Sequence, residues 1–371
     1  MVINNTHIAE LLHEHLAYSS VIMFNTAFIC VSLITPVVIW VSFHKRLATP
    51  INKRSSHISI TPPFGGVTFY IILILSISII QSILEESLGY NIIAAISILF
   101  MVGLKDDLIH STAKAKLTFQ LLAGLITAYS SRFRISDPCM GFSFGTFFSV
   151  ILSIFLVILI INAYNLIDGI DGLAALTGII VCISYAFIFY SIRDVFFFLL
   201  NIITLGTLCA FLKFNLSGRK LKIFMGDCGS LIIGMMIGLY TLRFLAHPIS
   251  TSFPGHNHGF GYKLLLGSVI LFIPLLDTSR IILIRLIKGN NPFKADKNHI
   301  HHVLINYGMS HIKASILLSS IQLFVIVAFY QASAVASTTT LFALSTLAFV
   351  MTGVIFEILN SRMRKKLEVG I

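Results

Sequence analysis

The chain has 371 residues, of which 56% are hydrophobic and 11% are charged, with a formal net charge of +11 and a mean hydropathy of +0.92. Soluble proteins carry about 25% charged residues, so this composition excludes a disordered protein, a soluble nucleic-acid-binding protein and a soluble two-domain enzyme. Long apolar runs indicate an integral membrane protein. The five cysteines form no CxxC pattern, which disfavours disulfides and structural zinc.

Eleven apolar runs predict an all-α, polytopic membrane protein that forms one transmembrane domain over residues 1–371. A span needs about 20 apolar residues, so we expect polar neighbours to extend the shorter runs. The segment before the first run has no basic residue and does not resemble a cleaved signal peptide. The runs cover residues 20–43, 66–84, 91–104, 117–131, 146–162, 173–192, 195–212, 231–245, 264–287, 316–331 and 341–358.

Basic residues are distributed unevenly between alternate loops. Most of the 26 Lys and Arg residues fall on the side of the C-terminus, and this side also carries most of the aspartates. The positive-inside rule therefore predicts an N-terminus outside, a C-terminus inside and a polar site at the cytoplasmic surface. The predicted cytoplasmic loops cover about 44–65, 105–116, 163–172, 213–230 and 288–313.

The first polar motif, GLKDD, ends the third run with Asp106 and Asp107. Adjacent carboxylates repel each other, so in a poorly hydrated site they favour a cation beside them or the protonation of one. Magnesium is commonly held by one or two carboxylates and substrate phosphates. The alternative is a solvated helix end.

The second motif is NAYNLIDGIDGL, in which Asn162, Asn165, Asp168 and Asp171 recur every three positions. On a helix this spacing keeps polar side chains on one face, with a slow drift around the axis. Because the motif follows an apolar run, the face is predicted to line a polar cavity. The alternative is an ordinary loop with Asn, Asp and Gly turns.

The third motif, FMGDCGS, leads into the next helix, so Asp227 or Ser230 could be a simple helix cap. However, a third acidic element on the same side favours a metal–phosphate site, because such sites take carboxylates from several segments.

A fourth motif places His299, His301 and His302 close to Asp296. Zinc is disfavoured since cysteine partners are absent, whereas imidazoles and lysines can hold phosphate or sugar oxygens.

Further candidates lie in the ninth run and in the first basic loop. Asp277 is predicted to form a cavity wall, and Arg285, two turns further on, could bind a diphosphate. Asn52, Arg54 and His57 could hold a lipid phosphate, although this loop could also be an anchor for anionic lipids.

Together, GLKDD, NAYNLIDGIDGL, FMGDCGS, the PF…D…HIHH stretch and the NKRSSH…GG loop resemble the polyprenyl-phosphate N-acetylhexosamine-1-phosphate transferases. The same superfamily contains the phospho-muramoyl-pentapeptide translocase. The resemblance implies transfer of a sugar-1-phosphate from a UDP-amino sugar to a polyprenyl phosphate such as undecaprenyl phosphate, with release of UMP. It also implies Mg²⁺, with Mn²⁺ as a substitute, the cytoplasmic face of a bacterial inner membrane and the start of a lipid-linked cell-envelope glycan.

The resemblance also implies roles for individual residues. Asp227 would be the metal ligand, and the pair Asp106 and Asp107 would bind metal or activate the lipid phosphate. The remaining matches concern the nucleotide and catalytic site (Asn165, Asp168, Asp171), the diphosphate (Lys114, Lys116) and the nucleotide sugar (His299, His301, His302).

Several alternatives stay open. The HIHH pattern, followed by Val303 and Leu304, resembles the branch that uses UDP-GlcNAc rather than the muramoyl translocase. Phospho-N-acetylmuramoyl-pentapeptide transfer is therefore the second hypothesis within the family. Outside it, a secondary transporter or an intramembrane aspartyl protease is considered. The expected partners are the two substrates and membrane lipids, with a homodimer as an option and no nucleic acid.

Overall fold

A computed structural model describes residues 15–47, 61–109, 111–135, 145–218, 220–247, 259–289 and 298–369. Within these ranges the chain is helical and has no β-strand, and a short 3-10 turn, Ser131–Phe133, follows the fourth helix. The helices are α1 (Leu16–His44), α2 (Gly65–Leu84), α3 (Leu88–Leu108), α4 (Ala113–Tyr129), α5 (Thr146–Ile167), α6 (Leu173–Ser191), α7 (Val195–Asn215), α8 (Gly226–Ala246), α9 (Phe260–Ile270), α10 (Phe272–Ile287), α11 (Ile300–Asn306), α12 (His311–Ser333) and α13 (Thr338–Val369).

The predicted all-α, polytopic architecture is confirmed, and each of the eleven apolar runs falls on a helix or a helix pair. Among the described residues, nine helices are long and apolar enough to span a membrane. The two other runs are α4, which has 17 residues, and the pair α9 and α10. Polar residues extend several helices beyond the apolar runs, and α3 thereby includes both residues of the acidic pair.

The ninth run is two helices rather than the single predicted helix, and the break lies at Leu271. Pro274 explains it, because proline has no N–H to donate to the carbonyl four residues earlier, that of Ile270. The side-chain amide of Gln322 on α12 donates to this carbonyl instead, at 2.8 Å. A backbone carbonyl inside a membrane needs such a substitute donor.

Helix α8 lies at the centre of the bundle, where it packs against α2, α3 and α5. Its mean hydropathy of 1.6 is the lowest of the nine spans, yet 94% of the span is buried. Peripheral α13 has 11% of its span buried and a higher value of 2.0. Helices that face lipid need apolar side chains, whereas an enclosed helix can carry small residues that permit close packing.

Two glycines permit α3 and the segment before α2 to lie against the first turn of α8. A Cβ on Gly103 would lie 2.5 Å from the Cα of Cys228, so only glycine permits this approach. Gly226 has φ +72°, and a Cβ there would overlap the carbonyl oxygen of Pro63 and lie 2.7 Å from a carboxylate oxygen of Asp107. This packing places the acidic pair of α3 beside Asp227.

Candidate functional site

The described parts of the five predicted loops meet at one end of the bundle. Four kinds of contact connect them, namely a backbone hydrogen bond, a helix cap, a side-chain hydrogen bond and a ring contact. These contacts are Phe224 N–H to the Pro62 carbonyl (3.0 Å), Asp227 N–H to Asp107 (2.8 Å), Asn165 to Asp227 (2.8 Å) and His301 against Gly169.

At the centre of this end, Asp106 and Asp227 share one cation, the ammonium group of Lys116. Its Nζ lies 2.7 Å from Asp106 Oδ2 and 2.5 Å from Asp227 Oδ2. The three residues come from α3, α4 and α8, so separate helices bring both carboxylates to one cationic position. The backbone N–H of Ser111 also donates to Asp106, at 2.5 Å.

Asp107 faces the start of α8 rather than the shared ammonium group. Its two carboxylate oxygens accept the backbone N–H groups of Asp227 (2.8 Å) and Cys228 (3.0 Å). A helix N-terminus has unsatisfied N–H groups and a partial positive charge, both of which a carboxylate compensates. The cap of α8 is thus supplied by α3, whereas the sequence suggested Asp227 or Ser230 for it.

Asn165, at the end of α5, orients Asp227 from the other side. Its Nδ2 donates to Asp227 Oδ1 at 2.8 Å and to Ser230 Oγ at 2.7 Å. Ser230 lies one helical turn after Asp227, and this spacing in the FMGDCGS motif is the signal that could have identified it as a support for Asp227.

Asp168 follows α5 and has no hydrogen-bond partner for its carboxylate within the described part of the chain. Its partial burial, with the negative charges of Asp227 and Asp171 nearby, raises its pKa to about 7. A half-neutral, unpaired carboxyl group beside two acids is suited to contact an incoming ligand or cation.

Asp171 belongs to a neighbouring cluster with two residues that the sequence did not single out as site residues. Its Oδ2 lies 2.5 Å from Lys222 Nζ and 3.4 Å from His311 Nδ1. The Ser315 hydroxyl donates to its backbone carbonyl at 2.7 Å. The loop before α8 and the start of α12 are therefore fixed on the NAYNLIDGIDGL motif. Lys222 lies only five residues before Asp227, which is the sequence signal for it.

Residues 298–302, here called the histidine segment, lead into α11 and pack against the NAYNLIDGIDGL motif. Asp277 is 1% exposed, and it accepts from the backbone N–H of Ile300 at 2.9 Å and pairs with His299 Nδ1 at 2.8 Å. His301 is buried against Gly169, and this burial lowers its pKa to about 3, so it is neutral at physiological pH. Asp277 thus holds the histidine segment from within the fold instead of lining an open cavity.

Other predicted residues lie outside these contacts. His302 is partly buried and its ring contacts that of His301 at a tilt of 47°, with ring centroids 4.3 Å apart. Lys114 is exposed, two residues before Lys116 on α4, and Arg285 is partly buried in the last turn of α10. The candidates Asn52, Arg54, His57 and Asp296 lie outside the described residues.

The donor set can be tested for its fit to a divalent cation. In the described part of the chain, no three His, Cys, Asp or Glu side chains form a closed metal site. Two carboxylates, Asp106 and Asp227, nevertheless converge on one cationic position. Magnesium is usually held by one or two carboxylates, with substrate phosphates and water as further ligands. The set therefore fits an open magnesium site that substrate completes.

Comparison with known proteins gives concordant matches. Residues 90–245 match the family model Glycosyl transferase family 4. The chain is 31% identical over 291 residues to the decaprenyl-phosphate N-acetylglucosaminephosphotransferase of Mycolicibacterium smegmatis, covering 72% of this chain and 70% of the relative. It is 30% identical over 302 residues to the probable undecaprenyl-phosphate N-acetylglucosaminyl 1-phosphate transferase of Bacillus subtilis, covering 78% of each. The undecaprenyl-phosphate alpha-N-acetylglucosaminyl 1-phosphate transferase of Escherichia coli K12 is 29% identical over 282 residues, or 72% of this chain and 71% of the relative.

Proposed function

This chain belongs to glycosyl transferase family 4, the polyprenyl-phosphate N-acetylhexosamine-1-phosphate transferases, and we propose that it transfers N-acetylglucosamine-1-phosphate from UDP-GlcNAc to undecaprenyl phosphate, releasing UMP. The main support from the structure is the convergence of Asp106 and Asp227, from different helices, on one cationic position. The relatives carry undecaprenyl or decaprenyl phosphate and N-acetylglucosamine in their names, and the HIHH pattern favours the same donor.

The reaction brings two anions together, since a lipid phosphate must approach the diphosphate of the donor. Positive charge at the junction offsets this repulsion and stabilises the charge that develops on the leaving UMP. Mg²⁺, held by Asp227 and Asp106, would act as a Lewis acid for these phosphate oxygens. The Lys116 ammonium group, which now lies between these carboxylates, supplies a positive charge of the protein's own at the same point.

The remaining residues position this centre. Asn165 fixes one oxygen of Asp227, and Asp107 fixes the backbone of the first turn of α8. Asp168 has no side-chain partner among the described residues and is available to contact substrate. The lipid phosphate is already a nucleophile at neutral pH, so the carboxylates orient the reactants and need not remove a proton.

The site is proposed to face the cytoplasm of a bacterial inner membrane. Asp106, Asp107, Asp168 and Asp227 form what we call the acidic cluster. The end of the bundle that carries this cluster also carries Lys45 after α1, Lys213 in the last turn of α7 and Lys313 in the first turn of α12. Basic residues concentrate on the cytoplasmic side of membrane proteins. A nucleotide sugar made in the cytoplasm would reach the site directly from there.

A secondary transporter is less consistent with this geometry. Transporter sites lie near the middle of the membrane, often where helices are interrupted. Here the acidic cluster lies at helix ends, at the last turn of α3 and the first turn of α8. Uptake of a substrate into vesicles without nucleotide release would favour the transporter.

The direct test is UMP release by the purified protein. UDP-GlcNAc, a short polyprenyl phosphate and Mg²⁺ are expected to yield UMP and a lipid-linked sugar diphosphate, and omission of the lipid or the metal should stop both. A panel with UDP-GalNAc and UDP-N-acetylmuramoyl-pentapeptide would identify the donor. The absence of UMP release from every UDP-amino sugar would contradict the proposal.

A further inference from the structure

The C-terminal helix α13 packs along α10 in a regular seam. Contacts repeat every four residues on both helices, so the two helices run side by side in the same direction. Three of its contacts, taken toward the end of the bundle that carries the acidic cluster, are Phe272 with Phe349 (ring centroids 5.8 Å apart), Leu276 with Gly353 (where a Cβ would lie 3.7 Å from Leu276 Cδ1) and Arg280 with Glu357 (3.1 Å).

The guanidinium group of Arg280 is the polar end of this seam. It is nearly buried, with 5% of its side chain exposed. Nη1 donates to the backbone carbonyl of Asn298 at 2.8 Å, and Nη2 donates to Glu357 Oε2 at 3.1 Å. Asp277, one turn earlier on α10, lies 3.9 Å from the same group. A nearly buried cation requires such partners, so the loss of one changes the position of the others.

Arg280 and Asp277 together hold three successive residues at the start of the histidine segment. Arg280 binds the carbonyl of Asn298, and Asp277 binds the ring of His299 and the backbone N–H of Ile300. The next residue, His301, packs against Gly169, beside Asp168. A continuous set of contacts therefore leads from α13 to the centre of the candidate active site.

We propose that Glu357 is a positioning residue for donor binding, which acts through Arg280 on the histidine segment. This inference rests on the proposed function, because it identifies the ligand of that segment as the nucleotide sugar. Glu357 is itself 43% exposed in its side chain and contacts no residue of the acidic cluster among those described. Its effect is therefore expected on donor affinity and not on the acceptor or on the chemical step.

Steady-state kinetics of purified Glu357→Ala, Glu357→Asp and Ser361→Ala provide the first test. Glu357→Ala is expected to raise the KM for UDP-GlcNAc about tenfold, or about 1.4 kcal/mol, while kcat and the KM for polyprenyl phosphate change less than about threefold. Glu357→Asp should recover part of the loss. Ser361→Ala is the matched control, because Ser361 is exposed, one turn further along α13, and bonds only within its own helix.

A double-mutant cycle separates positioning from simple docking of α13. If Glu357 acts only through Arg280, Glu357→Ala should add nothing to the effect of Arg280→Ala, so the two effects are strongly non-additive. Additive effects, a wild-type donor KM in Glu357→Ala, or equal losses for donor and acceptor would overturn the inference. Thermal unfolding in detergent, measured in parallel, identifies a variant that has lost its fold, in which case Glu357→Asp is used.

A labelling experiment tests the positioning independently of catalysis. Diethyl pyrocarbonate should modify His299 at least threefold faster in Glu357→Ala than in the wild type, as measured by mass spectrometry, whereas the rate at His44 on α1 should not change. Faster labelling in a protein that releases no UMP would reject the proposed function but keep the positioning of the segment. Unchanged labelling in an active enzyme would reject the role of Glu357.

Discussion

The two ends of the helix bundle use charge in different ways. At the end remote from the acidic cluster, each described arginine–carboxylate pair is one-to-one. Arg243 Nε lies 2.6 Å from Asp194 Oδ2, and one nitrogen of Arg132 lies 2.9 Å from both oxygens of Glu86. Asp194 also caps α7 through the N–H of Phe197. These pairs are balanced, so they hold helices together and leave no attraction for another ion.

At the site end, carboxylates outnumber the cation they share. Lys116 serves both Asp106 and Asp227, while Asp107 and Asp168 add two further carboxyl groups close by. Such an excess is unfavourable in the free protein and is relieved when a cation or a cationic complex binds. The comparison indicates that the remote end supports stability and the site end supports function, and substitutions at each end should separate the two properties.

The largest effect is expected from Asp227→Asn. It removes the charge of the carboxylate on which Lys116 and Asn165 converge but keeps the shape of the side chain. We expect UMP release to fall at least about a thousandfold, since the loss of charge stabilisation at a reacting centre has effects of this size. Thermal unfolding should change little. A residual rate within tenfold of the wild type would remove the role of Asp227 in catalysis.

Arg243→Met should have the reverse effect. The Asp194 carboxylate, with 8% of its side chain exposed, would remain buried without its partner, and the expected loss of stability is about 3 kcal/mol. The guanidinium group of Arg243 also lies over the ring of Phe197, 5.6 Å from its centroid, and methionine replaces this cation–π contact with an apolar one. Chemical or thermal unfolding in detergent measures the loss, and turnover per folded molecule should remain within about threefold of the wild type. A selective loss of turnover would break the proposed division between the two ends.

The helices could be located from the sequence, because each apolar run must be buried in the bundle or face lipid over its whole length. The sequence did not predict the break at Leu271, because the replacement donor, Gln322, lies on another helix, 52 residues along the chain from Ile270, and local pattern does not reveal such a partner. Helix ends were also displaced by several residues. For example, α8 begins at Gly226 and not at residue 231, because its polar first turn is capped by Asp107 from another helix.

The candidate site was predictable as a group of motifs but not as a set of contacts. Charge and spacing placed the acidic motifs on one side of the membrane. The packing of α3, α4 and α8 decides which acid caps α8 and which acids share Lys116. The ion pair of Lys222 with Asp171 likewise depends on tertiary packing. These are long-range contacts between helices, and no local pattern specifies them.

Lysines 114 and 116 illustrate this limit and provide the third prediction. They are two residues apart on α4, about 200° around the helix, so only one of them can face the acidic cluster. Lys116 does so and Lys114 is exposed. We expect Lys116→Ala to reduce kcat/KM about a hundredfold, whereas Lys114→Ala, the matched control, should change it less than about threefold. Equal effects of the two substitutions would contradict the observed rotation of α4.

The fourth prediction concerns pH and the excess of carboxylates. The pKa of Asp168 is raised from an unfolded value near 4 to about 7, so the folded state binds the proton more tightly. The contribution of Asp168 to stability is then lost as pH rises through 7, by up to about 1.4 kcal/mol between pH 6 and pH 8. It is measured as the difference in unfolding free energy between the wild type and Asp168→Asn, with a chelator present, because the lowered pKa of His301 changes stability in the opposite direction in both proteins. A difference that does not decrease between pH 6 and pH 8 would contradict the raised pKa.

The smallest effect is expected at the remote end, from Arg132→Ala. Both members of this pair are more exposed than Arg243 and Asp194, with 48% of the arginine side chain accessible, and water and salt screen such pairs. We expect a loss of at most about 1 kcal/mol in unfolding free energy, which declines further as salt is added, and no change in UMP release. A larger loss that persists in high salt would mean that exposure does not rank the pairs of this end. The contrast with Arg243→Met measures how much burial adds to an ion pair of the same chemistry within one protein.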